Sequence, residues 1–273
     1  MAIFPNKQTQ LCMSLAARPG NFGTRFHNFL YRALDLDYFY KAFTTTDLPA
    51  AISGIRALGI RGCAVSMPFK EASIPLVDEL DASAAAIASI NTIVNNAGYL
   101  KAYNTDYLAI RQLIERHALS TDMRLAVRGS GGMAKAVASA FKDAGFARGT
   151  LIARNTEAGP ALADRCGYAW AVDEVGLQAD LLVNVTPIGM AGGPEANGLA
   201  FSEQAIERAS VVFDVVAIPP RTPLVLAAEA AGKPVITGED VVALQALEQF
   251  VLYTGIRPSD QQVAEAVAFA TAG

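Results

Sequence analysis

Two ionisable residues set in short polar motifs stand out from an apolar chain: Lys70 in Ser66-Met67-Pro68-Phe69-Lys70 and Asp106 in Tyr103-Asn104-Thr105-Asp106. Asn91-Thr92 lies between them. A glycine-rich loop, Gly129-Ser130-Gly131-Gly132-Met133-Ala134, follows shortly after. An amine and a carboxylate are the equipment of proton transfer, and a loop of this kind accepts a dinucleotide. Together they point to proton transfer coupled to hydride transfer.

The elements that must position these groups alternate between strand and helix from the start. Gln10 to Ser14 reads as a strand, Phe26 to Leu34 as a helix and Tyr38 to Phe43 as a second strand. Asp47 can cap a helix from Leu48 to Leu58, with Pro49 in its first turn and Gly59 at its end. Ile60 to Val65 gives a third strand, so Lys70 falls just past a strand's C-terminal end, where open α/β sheets gather ligand groups. Asp81 opens an alanine-rich helix expected to run to about Ile90. Asn91 to Asn95 and Tyr99 to Tyr103 read as a hairpin turning at Asn96-Ala97-Gly98, with Asp106 after it as a helix N-cap.

From Arg124 the rhythm restarts: a strand at Leu125 to Val127, the glycine loop, a helix to Ala144 and a strand at Thr150 to Ala153. Further strands are expected at Leu181 to Val185, Val211 to Val215 and Pro234 to Ile236, then helices near Asp240 to Tyr253 and Gln261 to Thr271. Gly129-x-Gly131-x-x-Ala134 between a strand and a helix is the context of a dinucleotide fingerprint, in which glycines allow close backbone approach and the helix N-terminus attracts the pyrophosphate. The next strand ends Ala153-Arg154-Asn155-Thr156 with no acid for a ribose 2′-OH, and Arg154 suits a 2′-phosphate, which favours NADP over NAD. Taken singly, Lys70 also reads as a surface residue opening a helix, Asp106 as a plain cap, Asn91-Thr92 as a turn and Gln245 as a solvated side chain.

Composition narrows the field. The chain has 273 residues, 52% apolar and 18% charged, enough for one large or two ordinary domains. A net charge of −4 with scattered Lys and Arg gives no footprint for nucleic acid or an anionic membrane, so a small molecule is the expected partner. Met1 to Lys7 lacks the pattern of a signal peptide, and no apolar run is long enough to span a bilayer, which leads to the expectation of a soluble cytoplasmic protein. Cys12, Cys63 and Cys166 are odd in number and sit in apolar stretches, as buried free thiols do, and two histidines are too few for a His-rich metal centre.

Several of these segments, in this order, resemble the shikimate dehydrogenase family over nearly the whole chain. Ser66 to Lys70 is similar to the family's motif with the catalytic Lys, Ile90-Asn91-Thr92 to the one with its substrate-binding Asn, and Asn104-Thr105-Asp106 to the one with its catalytic Asp. Asn184-Val185-Thr186-Pro187-Ile188-Gly189-Met190, Asp214-Val215-Val216, Thr222-Pro223-Leu224 and Gln245 with Phe250 also match in kind. The resemblance implies an α/β protein with a mixed-sheet substrate domain over residues 1–106 and a Rossmann NADP domain over 107–238. Residues 239–273 would return to the first domain, and the substrate would lie in the cleft. It implies interconversion of 3-dehydroshikimate and shikimate by a monomer or homodimer. Lys70 and Asp106 would be catalytic; Ser14, Ser66, Asn91 and Gln245 would hold substrate. Gly129, Ser130, Gly131, Gly132, Met133, Ala134, Arg154, Thr186 and Gly238 would hold the cofactor.

The chain departs from the family at both ends of that cleft. Ser14-Leu15-Ala16 offers one hydroxyl where two usually hold a carboxylate, and Ala17 to Arg25 forms a longer segment before Phe26-His27-Asn28. Ala64 stands where Asn is common, Ser66 where Thr is usual and Ala217 where a substrate-facing Tyr is common. Ala153 replaces an Asn, and Ala158 occupies the second basic clamp position. Each lost hydrogen bond matters by about 1 kcal/mol, enough together to weaken shikimate turnover markedly or to re-tune the substrate. Quinate or aminoshikimate dehydrogenase is the alternative within the class; a metabolite-binding protein with little catalysis is the alternative outside it.

Overall fold

The computed structural model describes residues 5–272, so the first four residues of the Met1 to Lys7 segment lie outside the described residues. The chain divides into two compact units, residues 1–105 with 243–273, and residues 106–242.

The first unit is built on a mixed sheet of six strands. Its elements are β1 (Gln10–Leu15), α1 (Phe22–Ala33), β2 (Tyr38–Phe43), α2 (Leu48–Ala57), β3 (Gly62–Val65), α3 (Phe69–Ala72), β4 (Glu79–Leu80), α4 (Ala82–Ala85), β5 (Thr92–Asn96) and β6 (Tyr99–Tyr103). The strand order is β2-β1-β3-β5-β6-β4. β1 pairs in parallel with β2 and β3, whereas β5 runs antiparallel to both β3 and β6. The β5-β6 turn is made by Ala97 and Gly98, both at positive φ (52° and 94°), the geometry a two-residue hairpin loop requires. Leu15, Val65, Ile93 and Leu100 from the strands meet Ile52 and Ile55 of α2 in one buried cluster. Asp47 accepts a hydrogen bond from Ala50 N and so caps α2, as its position before Leu48-Pro49 leads one to expect.

The second unit starts within α5 (Thr105–Arg116) and continues through β7 (Leu125–Arg128), α6 (Gly132–Asp143), β8 (Gly149–Ile152), α7 (Ala158–Cys166), β9 (Ala169–Ala171), β10 (Leu181–Asn184), α8 (Glu203–Arg208), β11 (Val211–Asp214), α9 (Pro223–Ala230) and β12 (Val235–Ile236). Its sheet is wholly parallel in the order β12-β11-β10-β7-β8-β9. Counted from β7 as the first strand this is the doubly wound dinucleotide-binding order, with the reversal of direction between β7 and β10. Leu182, Val212, Phe201 and Leu224 form its core.

The chain re-enters the first unit within α10 (Gly238–Thr254), followed by α11 (Asp260–Thr271). Arg61 fastens the end of α10 to the sheet, donating from Nε to Tyr253 O (2.9 Å) and from Nη1 to Asn95 O (3.0 Å). A Cβ at Gly62 would lie 2.2 Å from the buried Tyr253 ring. Gly62→Ala is therefore expected to destabilise the protein by roughly 1–3 kcal/mol in urea unfolding, since ring and strand are both fully packed. The helix α11 lies on α1, with the Arg25 guanidinium 4.2 Å from the Phe269 ring and Nη2 donating to Phe269 O (2.6 Å).

Three sequence expectations change. The first helix starts at Phe22 rather than Phe26, which shortens the apparent insertion before Phe26-His27-Asn28 by absorbing half of it into α1. The alanine-rich helix after Asp81 ends at Ala85, not Ile90. Asp81 does cap it, through Ser83 N, but Ala88 turns to φ 49° so that Ile87 and Ile90 both become fully buried. Tertiary burial outweighs the weak preference of a few alanines for helix. Finally, α5 begins at Thr105, so Asp106 stands inside its first turn and is not its cap.

Candidate active site

In the first unit, Ser14, Ser66, Lys70 and Asn91 collect at one end of the mixed sheet. Ser14 lies opposite Ala64 in the β1-β3 register, and Ser66 N donates to Leu15 O (2.9 Å) just past the last paired residues. Lys70 rides on α3, and its carbonyl accepts from Ile90 N (3.4 Å). The next residue, Asn91, accepts at its carbonyl from Val65 N (2.7 Å) and donates its N–H to Tyr103 O (3.0 Å). Backbone bonds thus hold the helix of Lys70 against the segment that carries Asn91.

Asn91 is the hub. Its Oδ1 accepts from Thr105 N (2.7 Å), Thr105 Oγ1 (3.1 Å) and Thr92 Oγ1 (2.9 Å), and Gln249 Nε2 of α10 donates to Thr92 Oγ1 (3.2 Å). Donors around Oδ1 fix the orientation of the amide and leave Nδ2 on its other side. It is buried with no hydrogen-bond partner, although the residue is 1% exposed. A buried donor left unpaired costs about 1–3 kcal/mol unless something accepts from it. Asp106 follows directly after Thr105, the residue that Asn91 anchors, and is 6% exposed. Gln245 lies one helical turn before Gln249, on the same side of α10.

Sequence reading missed Gln249. The signal available was its i+4 spacing from Gln245; its partner Thr92 is 157 residues away. Thr92→Val, nearly the same shape, is expected to lose about 1–2 kcal/mol in denaturant unfolding, because it strands the Gln249 amide and removes one donor from Asn91.

In the second unit, Gly129 to Ala134 leads from β7 into α6. Gly129 has φ 131°, and a Cβ there would lie 2.8 Å from Val185 Cγ2. At Gly131 and Gly132 the Cβ positions face open space, both residues are exposed, and Gly131 caps α6 with no side-chain hydrogen bond. The helix N-terminus is therefore approachable, with N–H groups that no side chain caps, an arrangement that fits a pyrophosphate. Ser130 and Met133 are half-buried and Ala134 is buried in the same loop and first turn.

Arg154 lies beyond the end of β8 with its side chain 78% exposed, and its Nη2 reaches Glu195 Oε2 at 3.2 Å. Asn155 Oδ1 accepts from Glu157 N and Ala158 N, which closes the turn into α7. Thr186 belongs to a turn held from below by two buried residues. Asn184 Oδ1 accepts from Thr186 N (3.0 Å) and Oγ1 (2.6 Å), while Asn184 Nδ2 donates to Asp214 Oδ1 (2.9 Å) and Ile188 O (3.2 Å). Burial pushes the Asp214 carboxyl up, against hydrogen bonds from Thr222, Val216 N and Asn184 that favour its ionised form. Gly238 opens α10, and a Cβ there would lie 2.4 Å from the Val216 carbonyl, so close backbone packing by itself requires glycine.

All three cysteines are buried and free, and burial pushes the Cys12 thiol up to about 12. Among the described residues no group of His, Cys, Asp and Glu could hold a metal, and no helix is long and apolar enough to cross a membrane.

Comparison with known proteins adds the family and the fold. The profile of the shikimate dehydrogenase substrate binding domain matches residues 22–93. A shikimate dehydrogenase-like protein of Haemophilus influenzae is 58% identical over 97% of this chain and 98% of its own length. The NADP(+) shikimate dehydrogenase of Halothermothrix orenii is 32% identical over 85% of this chain and 86% of its own. The crystal structure of the Thermus thermophilus shikimate 5-dehydrogenase in complex with NADP(H) and shikimate superposes with a TM-score of 0.83 at 27% identity, covering 96% of this chain and 99% of that one.

Proposed function

The chain belongs to the shikimate dehydrogenase family, and from that premise we propose that it is an NADP-dependent oxidoreductase that interconverts the ketone and alcohol of a shikimate-type cyclic polyol carboxylate. The observation that carries this reading is the buried, unpartnered Nδ2 of Asn91 at the sheet end where Lys70 is held. A substrate hydroxyl is the acceptor that such a donor lacks. Binding the ring there sets the remaining groups in their roles.

Gly129 to Ala134 and Arg154 would hold the pyrophosphate and 2′-phosphate of the dinucleotide, whose nicotinamide would supply the hydride for ketone reduction. Negative charge grows on the substrate oxygen as hydride reaches the carbon, and the Lys70 ammonium stabilises that charge and gives the oxygen its proton. Asp106 accepts a hydrogen bond from a substrate hydroxyl. Asn91 and Gln245 fix the ring, and Ser14 and Ser66 offer hydroxyls toward the carboxylate. Thr186, Gly238 and the Asn184-Asp214 pair shape the nicotinamide end. Domain roles follow: residues 1–106 with 239–273 bind substrate and 107–238 bind cofactor.

A steady-state assay with shikimate, quinate and their 3-dehydro forms, each against NADP(H) and NAD(H), tests the proposal. Turnover highest for the shikimate pair with NADP(H) is the expected result. Quinate-dominated turnover would shift the substrate to that analogue. Tight ligand binding with no turnover by any pair would overturn the enzyme reading in favour of a metabolite binder.

A further inference from the structure

We propose that Glu195 is a specificity-determining residue that weakens the preference for NADP by competing for the guanidinium of Arg154. This rests on the reading of Arg154 as the 2′-phosphate group's partner. No acid stands at the end of β8 in sequence, yet the fold supplies one from 41 residues further on, with Glu195 Oε2 3.2 Å from Arg154 Nη2. The acid is held in place by its own backbone. Glu195 O accepts from Gly189 N (2.9 Å) and Gly198 N (2.9 Å), which pins the turn after Thr186 to the residue. Arg154, in contrast, is four-fifths exposed, within reach of a ligand.

The chemistry of the pair serves two ribose types. A 2′-phosphate must displace the carboxylate from the guanidinium and then lie close to it, which sets an anion against a group carrying nearly two negative charges. Ala158 offers no second cation at this edge, and Asn155 is engaged in closing its turn. A free 2′-OH, in contrast, can donate to a carboxylate, the contact by which doubly wound domains choose NAD. One residue therefore taxes the phosphorylated cofactor and welcomes the other. At the dielectric of water, with partial screening by salt, repulsion over about 6 Å amounts to roughly a fivefold change in affinity.

Dissociation constants for NADPH and NADH, read from nicotinamide fluorescence on the full-length protein at low and high salt, test this for the wild type, Glu195→Gln and Arg154→Gln. Both side chains are on the surface, and unchanged thermal unfolding would verify that the variants fold. Expected results are roughly fivefold tighter NADPH with Glu195→Gln, most pronounced at low salt, and NADH unchanged or weaker. Arg154→Gln should weaken NADPH alone. If Arg154→Gln weakens NADPH selectively while Glu195→Gln leaves it within twofold, the role of Glu195 fails and that of Arg154 stands. If Arg154→Gln affects both cofactors equally, the phosphate reading itself fails, and this inference with it.

Discussion

Lys70→Ala is expected to lower kcat by about 10²–10⁴ while leaving the dissociation constant of NADPH within twofold. That range corresponds to roughly 3–5 kcal/mol of transition-state stabilisation. The argument is positional. Lys70 is set by the bond from Ile90 N to its carbonyl on a four-residue helix, far in sequence from the glycine loop at Gly129, so its loss removes a partner for developing charge without touching the nucleotide cradle. Lys70→Arg separates the two tasks assigned to the amine. A guanidinium keeps the positive charge but does not release a proton near neutral pH. Partial recovery by Arg would assign the lysine mainly to charge stabilisation, and none would assign it to proton transfer. Single-turnover absorbance of NADPH measures both variants, and turnover of Lys70→Ala equal to the wild type would end the catalytic role.

What the sequence makes legible here depends on how local the determining interaction is. The Asp47-Leu48-Pro49 cap, the Asn96-Ala97-Gly98 hairpin and the glycine loop are written in residues within a few positions of each other, and the structure has all three. The doubly wound sheet follows from repeated strand-helix rhythm. The early end of α4 was not legible, because Ile87 and Ile90 are fully buried, Ile90 in the cluster with strand residues Leu15, Val65, Ile93 and Leu100, which the local alanines do not encode. The donors that fix Asn91 were legible only as far as Thr92. Gln249 arrives from α10 and Glu195 reaches Arg154 from a separate turn, and neither pairing leaves a pattern along the chain. Residue types announced chemistry; partners brought by the topology decide how each residue is held.

Acid should destabilise the protein through His27, a residue that takes no part in the proposed reaction. It lies on α1, wholly buried, its ring stacked 4.5 Å from that of Tyr40 and flanked by Tyr253 at 5.8 Å and Phe250 at 6.2 Å. Neither ring nitrogen makes a well-formed hydrogen bond, and the nearby Gln249 side chain only partly offsets burial. Burial pushes the imidazole down to about 3 from an ordinary value of 6.5. Between those values the unfolded chain binds a proton that the folded one refuses, so stability rises with pH across the window and is lost as pH falls from about 6.5 toward about 3. Each unit amounts to roughly 1.4 kcal/mol, giving about 3 kcal/mol lost by pH 4, a large part of the ~5–15 kcal/mol that holds a typical domain together. His27→Phe keeps a ring in the stack and gives up only the contact with Gln249, so urea unfolding should find it close to wild type at pH 7 and more stable than wild type by about 3 kcal/mol at pH 4. Parallel pH profiles for the two proteins would remove His27 as the cause. The same packing links acid to the site: Phe250 adjoins Gln249, whose amide supports Thr92 and, through it, Asn91. Because the folded protein keeps His27 neutral down to about pH 3, His27 brings acid to the site only through unfolding, so substrate affinity and folding should be lost together in the wild type and His27→Phe should move both to lower pH.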